Sequence, residues 1–394
     1  KRKWASSFAM KIKRSYDPEE LDNSTCYGVT PDIAEKFDAV YSRTDCANVQ
    51  TVVIDRLREI GFGYHFLTLS DTHVNLLKRG VMVLFENPAW KYSTPECEGS
   101  SIDCTFQRVT PCQIKDIAPE NLCRVDRKWG YPEDHWTACF EGTRGRLSDT
   151  HRALPQVRFW IRKLLHLSEG LLSQIQKAKH AAGWPASGTT VAIHIRQGQT
   201  DGPDHVRLGK RKWDLNLTAT TAVALALKWR ASAVLLVSDD HPLTEKVQQF
   251  SRDWALSDGR SDLLPKVMTT GSFAAGEVGL DCVRENYFRT KDCEKDHTLV
   301  RRQALSAMID FFLPATEAQH FAGTMASEFS MGISYYMKEL SPTIDLDATK
   351  CEKTQDGGKK CVLKPWATYR GRCTVPESEK ACVQLKGVPV TVCV

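Results

Sequence analysis

Residues 191–206 read VAIHIRQGQTDGPDHV. Val191 to Ile195 form a short apolar run interrupted only by His194, the pattern of a buried strand, and QGQTDGPD after it has turn composition. Open α/β sheets bind ligands outside the carboxyl ends of their strands. A strand that ends in His194 and Arg196 therefore bears on fold and chemistry together. The two residues are two apart, so in a strand they share a side and can address one ligand. The planar guanidinium of Arg196 donates two parallel charged hydrogen bonds and matches a phosphate, while a surface ion pair is the plainer reading.

Beyond this strand the pattern predicts a helix at about 218–230, a strand AVLLV at 233–237, helices at 243–255 and about 296–313, a short strand at 319–322 and a helix at 326–339. That alternation implies a parallel sheet with helices on both faces. In the first half, 48–60 reads as a helix interrupted by GFGYHF. Phe66, Leu69, His73, Leu76 and Leu77 then repeat at helical spacing up to Gly80, and VMVLF (81–85) reads as a strand. Gly61 and Gly63 allow a close backbone approach at the helix start, and His73 on the apolar face reads as a core residue. Residues 93–146 lose periodicity, so five cysteines are expected to replace core packing there. One long amphipathic helix is expected from Leu154 to about Ala181, then a linker, GWPASG. The implied organisation is α/β: an N-terminal domain over 1–184 with a Cys-rich insertion, a Rossmann-like domain over 185–344, and a disulfide-stapled tail over 345–394.

At 394 residues the chain has room for two domains of roughly 150–200 residues. Hydrophobic residues at 42% and charged residues at 26% are globular values, and no apolar run approaches the ~18 residues that span a bilayer. As given, the chain reads as soluble. It begins KRKW without Met or an apolar signal segment, and so reads as an excised domain, with membrane attachment only through an anchor absent from it. The net charge of +5 suits small anions and does not call for nucleic acid. The 14 cysteines form no CxxC and no zinc-ligand spacing with His, which favours disulfides in an oxidising compartment. Sequons at Asn23 and Asn216 fit the same lumen. The cysteines fall into groups of two (Cys26, Cys46), five (Cys97 to Cys139), two (Cys282, Cys293) and five (Cys351 to Cys393). If all pair, at least two must cross between groups, which opens the way to a bridge from tail to body.

Two more strand tips carry polar chemistry. AVLLVSDDHP sets Ser238, Asp239 and Asp240 at a carboxyl end, where acids contact a sugar hydroxyl or cap the next helix. FAGTMASEFS (321–330) offers Thr324, Ser327 and free backbone N–H groups at a helix start, suited to a diphosphate. With HIR, SDD and GTMAS in that order, the chain resembles the α1,6-fucosyltransferases and protein O-fucosyltransferases, enzymes of the GT-B fold that use GDP-fucose. IGFGYHF (60–66) is similar to that superfamily's Gly-rich loop, and VLFENPAWKYS (83–93) to the strand and Trp-x-Tyr segment of the α1,6 enzymes.

The resemblance implies two Rossmann-like domains facing a cleft. It makes His194 and Arg196 diphosphate and nucleoside contacts, with Gly61, Gly63, Tyr64, Asp239, Asp240 and Thr324 also on the nucleotide sugar. Asp310, in MIDFF, matches the guanine-side acid, and Ser327 a hydroxyl on the β-phosphate. Asp204 lies where the α1,6 enzymes carry a proposed base; Asp201 is the alternative, and both also read as turn residues. The pattern departs from the α1,6 enzymes at Gln197, where they have a second arginine, and at Gln199, where they have an acid. Their SH3-like end is not evident.

Metal-independent transfer from a GDP-sugar is what the resemblance implies, with no cofactor. The DxD at Asp345–Asp347 is read as chance. The basic run Arg207, Lys210, Arg211 and Lys212 reads as a solvated loop. The expected function is inverting fucosyl transfer from GDP-fucose to a glycan or glycoprotein, an N-glycan core among the candidates, in the Golgi or ER lumen. The alternatives are protein O-fucosylation on Ser or Thr of a folded domain, and a non-catalytic glycan-binding module that keeps the nucleotide fold.

Overall fold

The computed structural model describes residues 31–56, 61–86, 90, 92, 94, 97, 101–126, 155–196, 215–238, 241–258, 266–270, 297–325, 327–337, 343–355, 357–365, 382–384 and 390–393. Much of the 48–60 stretch that reads as a helix is instead a strand, β1 (Thr51–Arg56). Thr51, Val52, Val53 and Ile54 are consecutive β-branched residues, stiff at χ1 and suited to a pleated surface. All four are buried, as in a strand covered on both faces.

After α1 (Pro31–Tyr41) and β1 come α2 (Phe62–Leu77), β2 (Met82–Phe85) and β3 (Leu122–Asp126). The three strands form a parallel sheet ordered β2-β1-β3, with Thr51 paired to Met82 on one side and Leu122 on the other. β3 comes from the aperiodic region, which also sends Ile102, Phe106, Cys112 and Ile117 into the core. The bridges Cys46–Cys112 and Cys97–Cys104 therefore add to packing there and do not replace it. Cys46–Cys112 also crosses between two cysteine groups. A tail-to-body bridge falls outside the described residues, among which no cysteine is free.

The expected helix from Leu154 to Ala181 is two, α3 (Pro155–Leu164) and α4 (Glu169–Ala181). The break is a short antiparallel crossing: Gln107 N–H donates to His166 O at 2.7 Å and Ser168 N–H to Thr105 O at 2.9 Å. Ser168 Oγ then accepts from Leu171 N–H at 3.2 Å and caps α4.

The second half keeps the expected alternation: β4 (Thr189–Ile195), α5 (Leu215–Lys228), β5 (Ala231–Ser238), α6 (His241–Asp258), a further short strand β6 (Lys266–Met268), α7 (His297–Glu317), β7 (His320–Gly323) and α8 (Glu328–Tyr336). The tail supplies β8 (Ile344–Lys353), β9 (Lys359–Pro365), β10 (Cys382–Gln384) and β11 (Val390–Cys393), in one sheet ordered β10-β11-β9-β8-β7-β4-β5-β6. The Cys-rich end is thus built into the sheet edge, with Ile344 of β8 paired to Ala322 of β7. Cys351–Cys361 and Cys382–Cys393 join residues directly opposed across antiparallel strands.

Both faces of β4 and β5 are covered. Val191, Ile193, Ile195, Val234 and Leu236 pack with α5 residues such as Ala222 and Leu225. Ala192, Ala233, Leu235 and Val237 belong to a second cluster with Phe311 and Phe312 of α7 and Ile333 of α8. That second cluster also takes Phe62, Phe66 and Leu69 of α2 and Ile161 of α3, so one core draws on both sides of residue 185. His73 lies in α2, buried as expected, with Nδ1 2.8 Å from Leu69 O. Burial pushes its pKa down to about 4. Among the described residues no helix is long and apolar enough to cross a membrane.

Strand order positions the site. From β4 the chain moves outward through β5 to β6, then returns to lay β7 on the opposite side of β4. The point where the winding reverses, the usual ligand crevice of such sheets, lies between the carboxyl ends of β4 and β7.

Candidate active site

At that switch point the two strands are stitched together past their last paired residues, His194 and Gly323. Thr324 N–H donates to His194 O at 3.0 Å, and Arg196 N–H donates to Thr324 Oγ1 at 3.0 Å. Thr324 is buried, so its hydroxyl oxygen works first as the acceptor that sets the Arg196 backbone. On the other flank Ser238 Oγ donates to Ile195 O at 2.9 Å and ties the tip of β5 to β4. The Arg196 backbone is therefore held by its neighbours, and its side chain is half-buried at the end of a strand fixed on both sides.

A tight turn follows β7, with Ser327 N–H donating to Thr324 O at 2.9 Å, and Ser327 begins α8. Ser327 has extended backbone and its side chain makes no capping bond to the first turn of α8, which begins beside Thr324. Such a helix start favours anions. His194 is buried under this turn. Its ring lies 5.0 Å from the Phe329 ring, and its Nδ1 is 2.5 Å from Ser330 Oγ.

The Gly-rich stretch supports the same turn from behind. Gly63 is in the first turn of α2, and a Cβ there would sit 2.6 Å from Phe329 N and 2.7 Å from Phe329 Cα. Only glycine lets α2 meet the backbone of α8 so closely. Gly61 is the N-cap of α2, and a Cβ placed on it would meet nothing within 4 Å, so the close approach belongs to Gly63 alone. Tyr64 is half-exposed in the same turn. Trp90 and Tyr92, from the Trp-x-Tyr segment, are buried core residues: Trp90 Nε1 donates to Thr105 Oγ1 at 2.8 Å, and Tyr92 packs edge-on to Phe62.

Asp310 is buried in α7, where Thr270 Oγ1, just past β6, donates to its Oδ1. Thr270 has no signature in the sequence, since the short strand before it leaves no periodic pattern. Phe329 and Ser330 likewise escape the sequence reading, although Ser330 stands three residues after Ser327, the spacing of neighbours on one helix face. Asp345 Oδ1 accepts from Asp347 N–H at 2.9 Å, so the DxD folds back on its own strand. Among the described residues no group of three or more His, Cys, Asp or Glu could hold a metal. Asp201, Asp204, Asp239, Asp240, Gln197, Gln199 and the basic run at 207–212 lie outside the described residues, as does Asn23, while Asn216 is in the first turn of α5.

The chain matches no family model and no curated protein sequence. Among solved structures it is similar to fucosyltransferase NodZ from Bradyrhizobium, at 15% identity over 75% of this chain and 96% of that one, with a TM-score of 0.42. It is also similar to NodZ alpha-1,6-fucosyltransferase co-crystallized with GDP, at 15% identity over 75% and 94% of the two chains, with a TM-score of 0.41. A third likeness is to POFUT1 in complex with GDP, at 12% identity over 75% and 98%, with a TM-score of 0.35.

Proposed function

We propose that the chain is a glycosyltransferase that takes GDP-fucose and moves fucose, with inversion, to a glycan acceptor such as an N-glycan core. The observation that carries this reading is the meeting of HIR and GTMAS at the switch point between β4 and β7, where Thr324 links the backbones of His194 and Arg196. Breaking a sugar–diphosphate bond concentrates negative charge on the leaving group. Donors already in place for that charge lower the barrier without reorganising, and Arg196 with the first N–H groups of α8 supplies them. An arginine and helix amides can do for a diphosphate what a divalent cation does elsewhere. The acceptor hydroxyl loses its proton as it attacks the anomeric carbon, with Asp204 as first candidate base and Asp201 as second. The disulfides support a lumenal setting.

Saturating GDP at 100 times its Kd should stabilise the protein by about 2.7 kcal/mol, because a ligand selective for the folded state shifts unfolding by mass action. A melting temperature unmoved by GDP rejects the nucleotide site. A panel of GDP- and UDP-sugars, assayed for hydrolysis and transfer to mixed acceptors, then identifies donor and acceptor. One sequence feature favours a second reading, protein O-fucosylation: His194, Arg196 and Gly198 keep the HxRxG pattern of those enzymes, with Gln197 in place of a second arginine. Transfer to a deglycosylated folded protein, with none to a free glycan, would decide for it.

A further inference from the structure

We infer that Ser330 is a positioning residue that fixes the tautomer of His194, so that the imidazole presents an Nε2–H donor to an anionic ligand. Ser330 and His194 are both buried, and Ser330 Oγ stands 2.5 Å from His194 Nδ1. A neutral imidazole carries one proton, so one of two arrangements holds: Nδ1–H donates to Oγ, or the hydroxyl donates to Nδ1 and the ring proton resides on Nε2. The surroundings of Ser330 separate them. Among the described residues its hydroxyl has one hydrogen-bond partner, His194 Nδ1. Were Nδ1 the donor, the hydroxyl hydrogen would be buried without an acceptor, an arrangement that folded proteins avoid. With the hydroxyl as donor both groups are satisfied and Nε2 carries the proton.

The packing around the pair is specific to this arrangement. A Cβ on Gly323 would sit 2.9 Å from Ser330 Oγ and 2.9 Å from the Phe321 ring, so the glycine keeps open the space the hydroxyl occupies. The His194 ring is flanked by Phe329 at 5.0 Å, and its carbonyl is held by Thr324 N–H. Backbone and ring are thus both fixed from the β7–α8 turn, the element that also starts the helix on which Ser330 lies. A donor held in one tautomer favours a diphosphate, whose oxygens accept, over a ligand group that itself donates, and it does so without requiring a charged imidazolium.

The functional half of this inference rests on the nucleotide reading above; the tautomer does not. Long-range nitrogen–proton correlation spectra of histidine-labelled protein without ligand, with the His194 signals assigned by their loss in His194→Gln, should show an unprotonated Nδ1 and a protonated Nε2. The opposite tautomer in the wild-type protein overturns the inference. In Ser330→Ala the two tautomers should exchange, and in Ser330→Thr the single tautomer should return. GDP titration of the same proteins should give an affinity about tenfold weaker in Ser330→Ala and near wild type in Ser330→Thr. Equal affinity in all three removes the link from Ser330 to the ligand. If the wild-type protein binds no GDP, the nucleotide reading fails, and the spectra alone decide the tautomer.

Discussion

Gly63→Ala tests the link between the Gly-rich stretch and the site. In an exposed helix interior the change from glycine to alanine stabilises by roughly 0.5–1 kcal/mol, because the unfolded chain loses freedom. Here the added Cβ would lie 2.6 Å from Phe329 N, 2.7 Å from Phe329 Cα and 2.8 Å from Glu328 C. All three are backbone atoms, so no rotamer change relieves the overlap. Restoring an ordinary contact of 3.4 Å from 2.6 Å requires α2 and α8 to part by about 0.8 Å. Overpacking of this kind costs about 1–3 kcal/mol, more than the helix gain, so the net effect is destabilising by about 1–2 kcal/mol. Phe329 and Ser330 move with α8, and with them the contacts on His194. Thermal unfolding of a chain of 394 residues should show an apparent Tm lower by roughly 1–3 °C, and GDP affinity should fall in the same variant. Gly61→Ala, at the N-cap with nothing near its Cβ, is the control for an added methyl group without a clash. A Gly63→Ala protein at least as stable as wild type would refute the close approach of α2 to α8.

Three further outcomes are expected. Arg196→Ala should keep the fold by circular dichroism and lose about 100-fold or more in turnover of GDP-fucose, the loss typical of removing a donor aimed at developing charge; GDP binding with turnover intact would end its assignment. His73 is held neutral by burial, its pKa pushed from the ordinary value of 6.5 down to about 4. Between those values the unfolded state binds more protons, so its contribution to stability is full above pH 6.5 and is lost as pH falls towards 4. The loss amounts to about 3 kcal/mol, and urea midpoints measured across this window should fall more steeply in wild type than in His73→Leu; parallel slopes would contradict the assignment. Removing Cys46–Cys112, which spans 66 residues, should cost about 4 kcal/mol, against about 3 kcal/mol for Cys351–Cys361, which spans 10. The reverse order of apparent Tm values would show that loop closure does not govern their worth.

What is legible in the sequence, and what is not, follows from the range of the interactions involved. The strands and helices from Thr189 to Tyr336, the three-residue β6 apart, can be read because each has a local period, and the pattern at His194 and Arg196 is visible because a polar pair ending an apolar run is a local anomaly. β1 reads wrongly when period is weighed over composition, since the β-branched run Thr51–Ile54 argues for a strand. The break between α3 and α4 is hidden for the opposite reason: apolar spacing continues through Leu165–Ser168, and the chain turns there because residues 105–107 pair with it. Long-range pairing also brings the tail into the sheet, where the alternating pattern of β8 and β9 is too irregular to place against β7 without the fold. The site itself divides along the same line. Arg196 is readable as chemistry, but what orients it is Thr324, 128 residues further on, and what orients His194 is Ser330, 136 residues on. A ligand-binding residue can declare itself in sequence by being polar where the core should be apolar, whereas the residue that aims it is an ordinary Ser or Thr. Its role exists only once the parallel pairing of β4 with β7 has brought the two together, so the geometry that holds His194 and Arg196 is the part least open to reading from sequence.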